Sequence, residues 1–315
     1  MASEPEMPRN KRNFLAGVAM LAVLLLTTAA AWVLVSTRGA DRRRGAAVLS
    51  DIRRQMLPAL WGDEPREAWY LRTDPDGKSL GWWRSLRYRT ADGYLGREQV
   101  VLEDGTQWRE NWRIDDAAAR GRYVFNAVGR KLPAGFLDVS IAMEEGKVAV
   151  ASSEWPQSVI ALAPPQYVPE GLLELVAYIA GRRGQTIACD SIANEAAIQG
   201  GQVLFMTFAM EPQQQAGEGV ISVAVRGAGS ERLFVFDKTG GVQRVEHRGD
   251  GTAWVQVTRE KVGQSYPEVL RMGRPGEASQ EQPGEEPEGP AEDEGEGWEG
   301  IEDIEPEAVP APPTI

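Results

Sequence analysis

The sequence predicts a mainly β (α+β) fold: a large curved antiparallel sheet or incomplete barrel with one buried apolar helix, preceded by a single transmembrane helix. Three observations predict it. Short runs in which apolar and polar residues alternate recur through the middle of the chain, one run near residues 169–180 is apolar on almost every side, and residues 14–36 contain no charge. These features divide the chain into a leader, a span, a stalk, a β domain and a tail.

The uncharged run 14–36 follows a basic leader, residues 1–13, and is long enough to cross a membrane. A helix of 23 residues rises about 34 Å, and a hydrocarbon core is about 30 Å thick. A cleaved signal peptide is the alternative, with a small-residue site after Ala31, but the apolar run continues past that site. We therefore expect an uncleaved signal-anchor.

The orientation of the span depends on the basic residues that flank it. Arg9, Lys11 and Arg12 precede the span, whereas Arg38 and residues 42–44 follow it, so the positive-inside rule is nearly balanced. A short leader before a large domain favours an exported domain, and the "RRR" after the span favours the opposite. We expect a single-pass cell-membrane protein with its domain on the periplasmic side.

Residues 37–61 are predicted to form a juxtamembrane stalk helix. Val48, Leu49, Ile52 and Met56 recur at helical spacing, and Pro58 ends the pattern. A stripe of this kind packs on the adjacent domain, or else it lies on the membrane surface or forms a dimer.

Residues 62–272 are predicted to form the antiparallel β domain. In the run 81–89, "GWWRSLRYR", alternation gives a mainly apolar face with Trp82 and Tyr88 and a mainly polar face with Arg87 and Arg89. About a dozen runs of this kind follow one another. The pair Asp104–Gly105 between two of them predicts a hairpin with a type I′ turn.

One segment of this domain is predicted to be helical. The run "VPEGLLELVAYIAGR" has Pro169 near its start and Gly181 near its end, as helices often do. Because its sides are almost all apolar, we expect this helix to be buried against the sheet.

The tail, residues 273–315, is rich in Glu, Pro and Gly and is predicted to be disordered. It holds 14 acidic residues and one arginine, so the rest of the chain carries a net charge of only +1. Trp298, Ile301 and Ile304 recur every third residue in it and form a candidate docking motif for a protein partner; chance spacing in a solubilising tail is the alternative.

Charge and composition argue against several classes of function. The β domain has no basic excess to bind phosphates, so nucleic acid is not expected as a partner. One cysteine and one histidine make a metal site of the common kinds unexpected, and no P-loop pattern appears, so no cofactor is predicted.

Two candidate sites remain in the β domain. Cys189 and His247 would have to meet in space to act as a nucleophile and its base. A cavity under the curved sheet is the other candidate, and the strand tryptophans are its candidate lining: Trp82, Trp108, Trp112, Trp155 and Trp254. The alternative is that these tryptophans only fill the core.

Residues 67–89, "EAWYLRTDPDGKSLGWWRSLRYR", contain an aromatic-rich strand that leads through a glycine-containing turn to a second strand. This pattern resembles the N-terminal β-domain of some membrane-anchored transglutaminase-like proteins of bacteria. The layout of a long curved sheet with an apolar helix resembles the periplasmic lipoprotein-carrier family. The resemblance implies an exported β-module and, because a tail stands where the catalytic part would follow, no active site.

These observations favour a membrane-anchored, non-enzymatic β-domain protein of the cell envelope that binds a lipid-like ligand or a protein partner. The alternative is an envelope hydrolase that uses Cys189 and His247 or a pair of carboxylates.

Overall fold

A computed structural model describes residues 37–132, 134–194, 197–213 and 219–272. The leader, the predicted span 14–36 and the tail with Trp298, Ile301 and Ile304 lie outside these ranges, so the expectations about them stay predictions. Within the described ranges, no helix is both long and apolar enough to cross a membrane.

The described ranges contain sixteen strands and four α-helices. The helices are α1 at residues 37–55, α2 at Leu57–Trp61, α3 at Leu173–Arg183 and α4 at Arg259–Ser265, and 3-10 turns lie at Glu170–Leu172 and Pro267–Arg271. The strands are β1 Arg66–Thr73, β2 Ser79–Thr90, β3 Gly93–Leu102, β4 Gln107–Asp115, β5 Gly121–Val128, β6 Phe136–Glu144, β7 Lys147–Ser152, β8 Val159–Leu162, β9 Ile187–Ile192, β10 Ile198–Gln199, β11 Gln202–Val203, β12 Phe205–Pro212, β13 Ile221–Gly227, β14 Ser230–Phe236, β15 Val242–His247 and β16 Ala253–Val257.

Fourteen of these strands form one antiparallel sheet, in the order β8-β7-β6-β5-β4-β3-β2-β1-β16-β15-β14-β13-β12-β9. The prediction of a mainly β protein with a large antiparallel sheet is confirmed. The other two described strands, β10 and β11, form a hairpin between β9 and β12 in the chain, and this hairpin contacts β7 and β8. The chain leaves the edge strand β9 and, through this hairpin, contacts the opposite edge of the sheet at β8.

The inner face of the sheet is the face that carries Tyr70, Trp83 and Val245, and it bears the main hydrophobic core. Two helices cover it. Helix α1 contributes Val48, Leu49 and Ile52, which are 1–2% exposed, and helix α3 contributes a second apolar surface. This burial provides the main stabilising free energy of the fold, because apolar area removed from water contributes about 25 cal/mol per Å².

Helix α1 lies directly against the edge strand β9. A Cβ atom on Gly45 would lie 2.1 Å from the Ala188 carbonyl oxygen, so only glycine permits this approach. Nearby, Arg44 Nε donates to the Thr186 carbonyl at 2.7 Å. The helix ends before Met56, which is 39% exposed and has φ of 67°, and α2 begins at the next residue with Pro58 in its first turn.

Helix α3 forms where the sequence predicts a helix. Leu175, Val176 and Ala180 are buried on the inner face, and Gly184 ends the helix with φ of 60°, its N–H donating to the Ala180 and Gly181 carbonyls. This left-handed conformation favours glycine. A Cβ on Gly181 would lie 2.3 Å from Ile221, so the glycine lets α3 contact β13 closely.

The outer face of the sheet is covered only locally. At β1 and β2, Trp69, Leu71 and Trp82 form a second apolar cluster with Val262 and Val269 from α4 and the 3-10 turn that follows it. Both tryptophans of the run 81–89 are therefore buried, but on opposite faces of the sheet.

The mainly polar face predicted for residues 81–89 lies inside rather than in water, which corrects the placement of two arginines. Arg87 lies 4.2 Å from the centroid of the Trp61 ring, and Arg89 donates to Asp116 Oδ2 at 2.7 Å. Both guanidinium groups therefore have partners on the inner face. The predicted alternation of residues 81–89 between two faces is observed, but both faces of the sheet are covered by other parts of the chain here.

The hairpin at Asp104–Gly105 forms, but its turn is not type I′. Gly105 has φ of 84°, whereas Asp104 does not have a positive φ. The loop is longer, with Leu102 N–H donating to the Thr106 carbonyl at 2.8 Å. The φ values expected for a type I′ turn occur instead at Glu145–Gly146, with 50° and 76°.

Candidate functional site

A pair of glutamates faces the interior from two neighbouring strands. Glu98 on β3 and Glu110 on β4 are directly opposite each other, and Ser85 on β2 is opposite Glu98 on its other side. Side chains opposite each other in an antiparallel sheet point to the same face, with Cβ atoms about 4.5–5.5 Å apart. Glu110 shares the inner face with Trp112, so both carboxylates face the interior.

Both glutamates are half-buried, and burial raises the pKa of Glu98 well above its usual range. The carboxylates of Glu110 and Glu174 raise it further, while Ser85 and Trp83 oppose the rise. The Trp83 side chain is only 8% exposed, and its indole N–H has no hydrogen-bond partner, so it influences Glu98 without a full hydrogen bond to it.

A third carboxylate comes from the first turn of α3. Burial raises the pKa of Glu174 to about 7, and the positive charges of Arg87 and Arg66 oppose this rise. The pKa of Arg87 is lowered to about 10, mainly by burial and then by Arg66. The two arginines are therefore the cationic groups that act on Glu174.

A chain of hydrogen bonds leads away from Glu110. Tyr123 donates its hydroxyl to Glu110 Oε2 at 3.1 Å, and Asn194 donates its amide nitrogen to the Tyr123 hydroxyl at 2.8 Å. Burial and then Glu110 raise the pKa of Tyr123 well above its usual value, so the phenol keeps its proton and stays a donor. The amide oxygen of Asn194 is buried and has no partner.

A fourth glutamate, Glu170, lies in the 3-10 turn before α3. It accepts hydrogen bonds from the Ser191 hydroxyl and the Ile192 N–H, both at 3.1 Å, and from Tyr167 at 3.3 Å. Burial nevertheless raises its pKa to about 7. These bonds join the start of α3 to β9.

Two clefts flank the Tyr123–Asn194 hydrogen bond, which we name the junction. The first cleft, about 20 Å³, lies beside the Tyr123 ring, and the second, about 150 Å³, lies beside Asn194. The first is lined by Trp112, Arg113, Ile114, Gly121, Arg122, Tyr123, Ile141, Met143, Tyr167, Pro169, Glu170 and Gly171; the second by Leu132, Ala134, Phe136, Leu137, Ser152, Ser153, Glu154, Asn194, Ala197 and Ile198. The wall of the first cleft is almost wholly apolar, whereas that of the second is mixed.

Two glycines hold Trp112 at the wall of the first cleft. A Cβ on Gly96 would lie 1.9 Å from the Trp112 ring, and one on Gly171 would lie 2.6 Å from it. The indole therefore lies between β3 and the 3-10 turn, in a slot that only glycine leaves open. The same contact fixes the start of α3, and with it Glu170 and Glu174, above β3 and β4.

The five tryptophans predicted to line a cavity lie in different environments. Trp82 is in the outer cluster, Trp108 packs against the main core, and Trp254 is 6% exposed with its ring edge-on to Trp83 at 6.0 Å. Trp155 is 41% exposed. Of the five, only Trp112 lines one of the two clefts.

The pairing of Cys189 with His247 is wrong. Cys189 lies on β9 and His247 on β15, and β12, β13 and β14 separate these two strands in the sheet. With strands about 4.8 Å apart, four steps amount to about 19 Å along the sheet. Burial also raises the pKa of Cys189 to about 12 and lowers that of His247 to about 4, so neither is prepared as a nucleophile or base.

The carboxylate form of the hydrolase alternative stays a prediction, and Glu98 and Glu110 are its natural candidates. The sequence pattern alone could have indicated that Glu110 faces the interior. Glu110 has the same alternation as Trp108, Trp112 and Ile114, so it is a charged residue in the middle of an otherwise apolar strand face. A buried carboxylate in such a place needs an explanation.

No protein-family model and no curated protein matches the chain. Solved structures similar to it include the following two. One, a β-barrel-like protein of the domain of unknown function DUF1849 from Brucella abortus, is 14% identical with a TM-score of 0.45, over 62% of this chain and 97% of that one. The other, a DUF1089 family protein from Pseudomonas aeruginosa, is 13% identical with a TM-score of 0.31, over 55% and 92%.

Likenesses this weak carry no argument about function. Neither structure is described as a transglutaminase-like or lipoprotein-carrier protein, so those two resemblances gain no support beyond a β-sheet module.

The raised pKa values predict how stability depends on pH. Glu98, Glu170 and Glu174 hold their protons more tightly in the folded chain than in the unfolded chain, where glutamate has a pKa of about 4.3. Their contribution to the free energy of unfolding is fully present below about pH 4.3 and is lost as pH rises through the pKa values of the folded chain. The lowered pKa of His247 has the opposite effect: it makes the free energy of unfolding rise with pH between about pH 4 and about pH 6.5.

We therefore expect the free energy of unfolding of the full chain to fall between about pH 4.3 and about pH 7, where the three glutamates outweigh His247, measured by denaturant titration with tryptophan fluorescence. Glu98→Gln removes one of the interior charges, so this variant should lose less stability over that range. Glu144→Gln, at an exposed glutamate, is the matched control and should follow the wild type. An unchanged slope in Glu98→Gln would contradict the electrostatic account.

Proposed function

We propose that this chain is a non-enzymatic binding domain of the cell envelope that takes up part of an amphiphilic, lipid-like molecule at the junction between its two clefts. The observation that carries the proposal is the junction itself. The hydroxyl of Tyr123 and the amide of Asn194 lie between an apolar cleft and a mixed one, and their hydrogen bonds lead to Glu110 inside the fold.

The walls of the clefts support a ligand with an apolar part and a polar part. Ligand pockets are mainly apolar with a few polar groups that fix orientation. The first cleft, at about 20 Å³, has an almost wholly apolar wall and room for about one water-sized group, and the second, at about 150 Å³, has a mixed wall and room for a benzene-sized group. The second cleft can therefore take a short alkyl chain, but not a whole two-chain lipid.

The partly buried carboxylates also support a binding role. Glu98 and Glu110 lie deep in the fold, yet each keeps part of its surface accessible to water. Like charges directly opposite each other in a sheet are destabilising, and apolar side chains at these positions would fill the inner face. A feature that costs stability in the core is typical of a functional site.

The binding proposal predicts that the full chain in lipid nanodiscs binds octyl glucoside, with empty nanodiscs as the blank in calorimetry. Ser152→Trp places an indole in the second cleft and should weaken this binding by about tenfold or more, since a filled cleft leaves no room for the alkyl chain. Ser140→Trp on the adjacent strand β6, whose side chain points to the outer face, is the control. Equal affinity in both variants would contradict the proposed site.

The membrane and envelope parts of the proposal depend on the sequence. The uncharged run 14–36 behind a short basic leader supports an anchor with the domain outside the cytoplasmic membrane. Arginines 42–44 on the far side of the run weigh against this orientation.

If the domain is exported, protease added to spheroplasts should digest residues 62–272 while a cytoplasmic marker protein survives. Lysed spheroplasts provide the control that the domain is cleavable. Protection of the domain in intact spheroplasts, together with cleavage after lysis, would reverse the orientation.

A further inference from the structure

The exposed apolar side chains of the domain are concentrated at one end of the sheet. In the described part of the chain seven large apolar side chains are exposed, and five of them belong to β5, β6, β8 or the loop before β8. We name these five the apolar patch: Val128, Phe136, Trp155, Ile160 and Leu162. Ile160 and Leu162 are the most exposed, at 68% and 77%. Single exposed apolar side chains are ordinary, whereas a concentration of them marks a contact with a protein or a membrane.

The outer face beside β8 is built of small side chains and ends in arginines. Ala149 on β7 is opposite Ile160, and Ala142 on β6 is opposite Ala149, so these neighbours leave Ile160 uncovered. Arg122 and Arg113 continue the same row on β5 and β4. An apolar surface bordered by arginines is typical of proteins that lie at a membrane surface, where the long basic side chains reach the headgroups.

The direction of helix α1 shows at which end of the domain it begins. Arg42, near the start of the helix, lies 3.7 Å from the Asp190 carboxylate, and Gly45, about one turn later, lies against Ala188. The helix therefore runs antiparallel to β9. Its first residue, number 37, directly follows the predicted span 14–36 and lies toward the C-terminal end of β9.

Part of the apolar patch lies toward the same end. The β10–β11 hairpin follows the C-terminal end of β9 and contacts β7 and β8. Trp155 is beside this hairpin, since a Cβ on Gly201 would lie 3.9 Å from its ring. Phe136 lines the second cleft together with Ile198 of the hairpin. Trp155 and Phe136 are thus toward the end of the domain at which α1 begins.

The size and the chemistry of the apolar patch favour a lipid surface over a protein. A standard protein interface takes about 20–30 residues from each partner, and the patch has five large apolar side chains. Tryptophan is enriched at the border of the bilayer, and phenylalanine and leucine are typical of surfaces that enter it shallowly. An anchor also holds the domain close to the bilayer, so that a weak contact suffices.

We propose that the apolar patch lies on the membrane that anchors the chain, with Trp155, Ile160 and Leu162 in the headgroup region. This inference rests on the predicted span and adds a lipid surface as a partner, beyond the proposed binding function. Because Phe136 lines the second cleft, the contact brings the mouth of that cleft to the lipids, from which an amphiphile enters.

The test measures membrane contact at single positions of the full chain in lipid nanodiscs without added ligand. Trp155→Cys and Ile160→Cys each receive a polarity-sensitive fluorophore, and Leu270→Cys, at a side chain 53% exposed outside the patch, is the matched control. The native Cys189 is 0% exposed, so the wild-type chain should take up no label. Labels in the patch should emit at shorter wavelength and be quenched by lipids with a nitroxide near the headgroup. The label at position 270 should show neither change.

The outcomes separate this inference from the binding function. No quenching at positions 155 and 160, equal quenching at all three positions, or a chain that does not stay with the nanodiscs would overturn the lipid contact. A shift to shorter wavelength that appears only in nanodiscs with two chains, without nitroxide quenching, would assign the patch to a second copy and overturn it as well. Failure of octyl glucoside to bind would overturn the binding function alone, since no ligand enters this test.

Discussion

The inner face of the fourteen-stranded sheet has to be covered, and the interior depends on the contact between β4 and the 3-10 turn Glu170–Leu172, which leads into helix α3. Trp112 fits between Gly96 and Gly171 and thereby fixes the start of the helix. The start of the helix in turn carries Glu170 and Glu174 to the carboxylates of the strands. The same contact therefore positions both the helix and its glutamates, and a substitution at Gly96 or Gly171 would displace both.

The glutamates Glu98, Glu110 and Glu174 lower the stability of the fold, and the packing of the core compensates for this loss. Two glutamates, Glu98 and Glu110, are opposite each other, and burial raises the pKa of Glu98 well above its usual value. The helices provide enough buried apolar area for the fold to tolerate this cost. The proposed binding function would link this loss of stability to the glutamates that face the interior.

Much of the fold could be predicted because its signals are local. Alternation along the strands, the apolar segment of α3 and the glycines at turns all depend on neighbouring residues. The faces of residues 81–89 could not be assigned because α4, far along the chain, covers the outer face at Trp82. The type of the Asp104–Gly105 turn depended on a loop length that a dipeptide does not specify.

The candidate site was harder to predict because it depends on register. Glu110 could be noticed from its position among inward tryptophans, but only strand pairing places Glu98 opposite it, and only the path of the chain brings Glu174 and Asn194 to the same region. The separation of Cys189 from His247 likewise follows from strand order, which alternation does not reveal.

The central claim is that the Glu98–Glu110 pair does not carry two full charges at neutral pH. A ¹³C NMR titration of the glutamate carboxyl carbons in the full chain, with the Glu98 signal assigned by its loss in Glu98→Gln, tests this claim directly. The account predicts that Glu98 titrates well above the value of about 4.3 that is usual for glutamate. Titration of Glu98 together with the surface glutamates would contradict it.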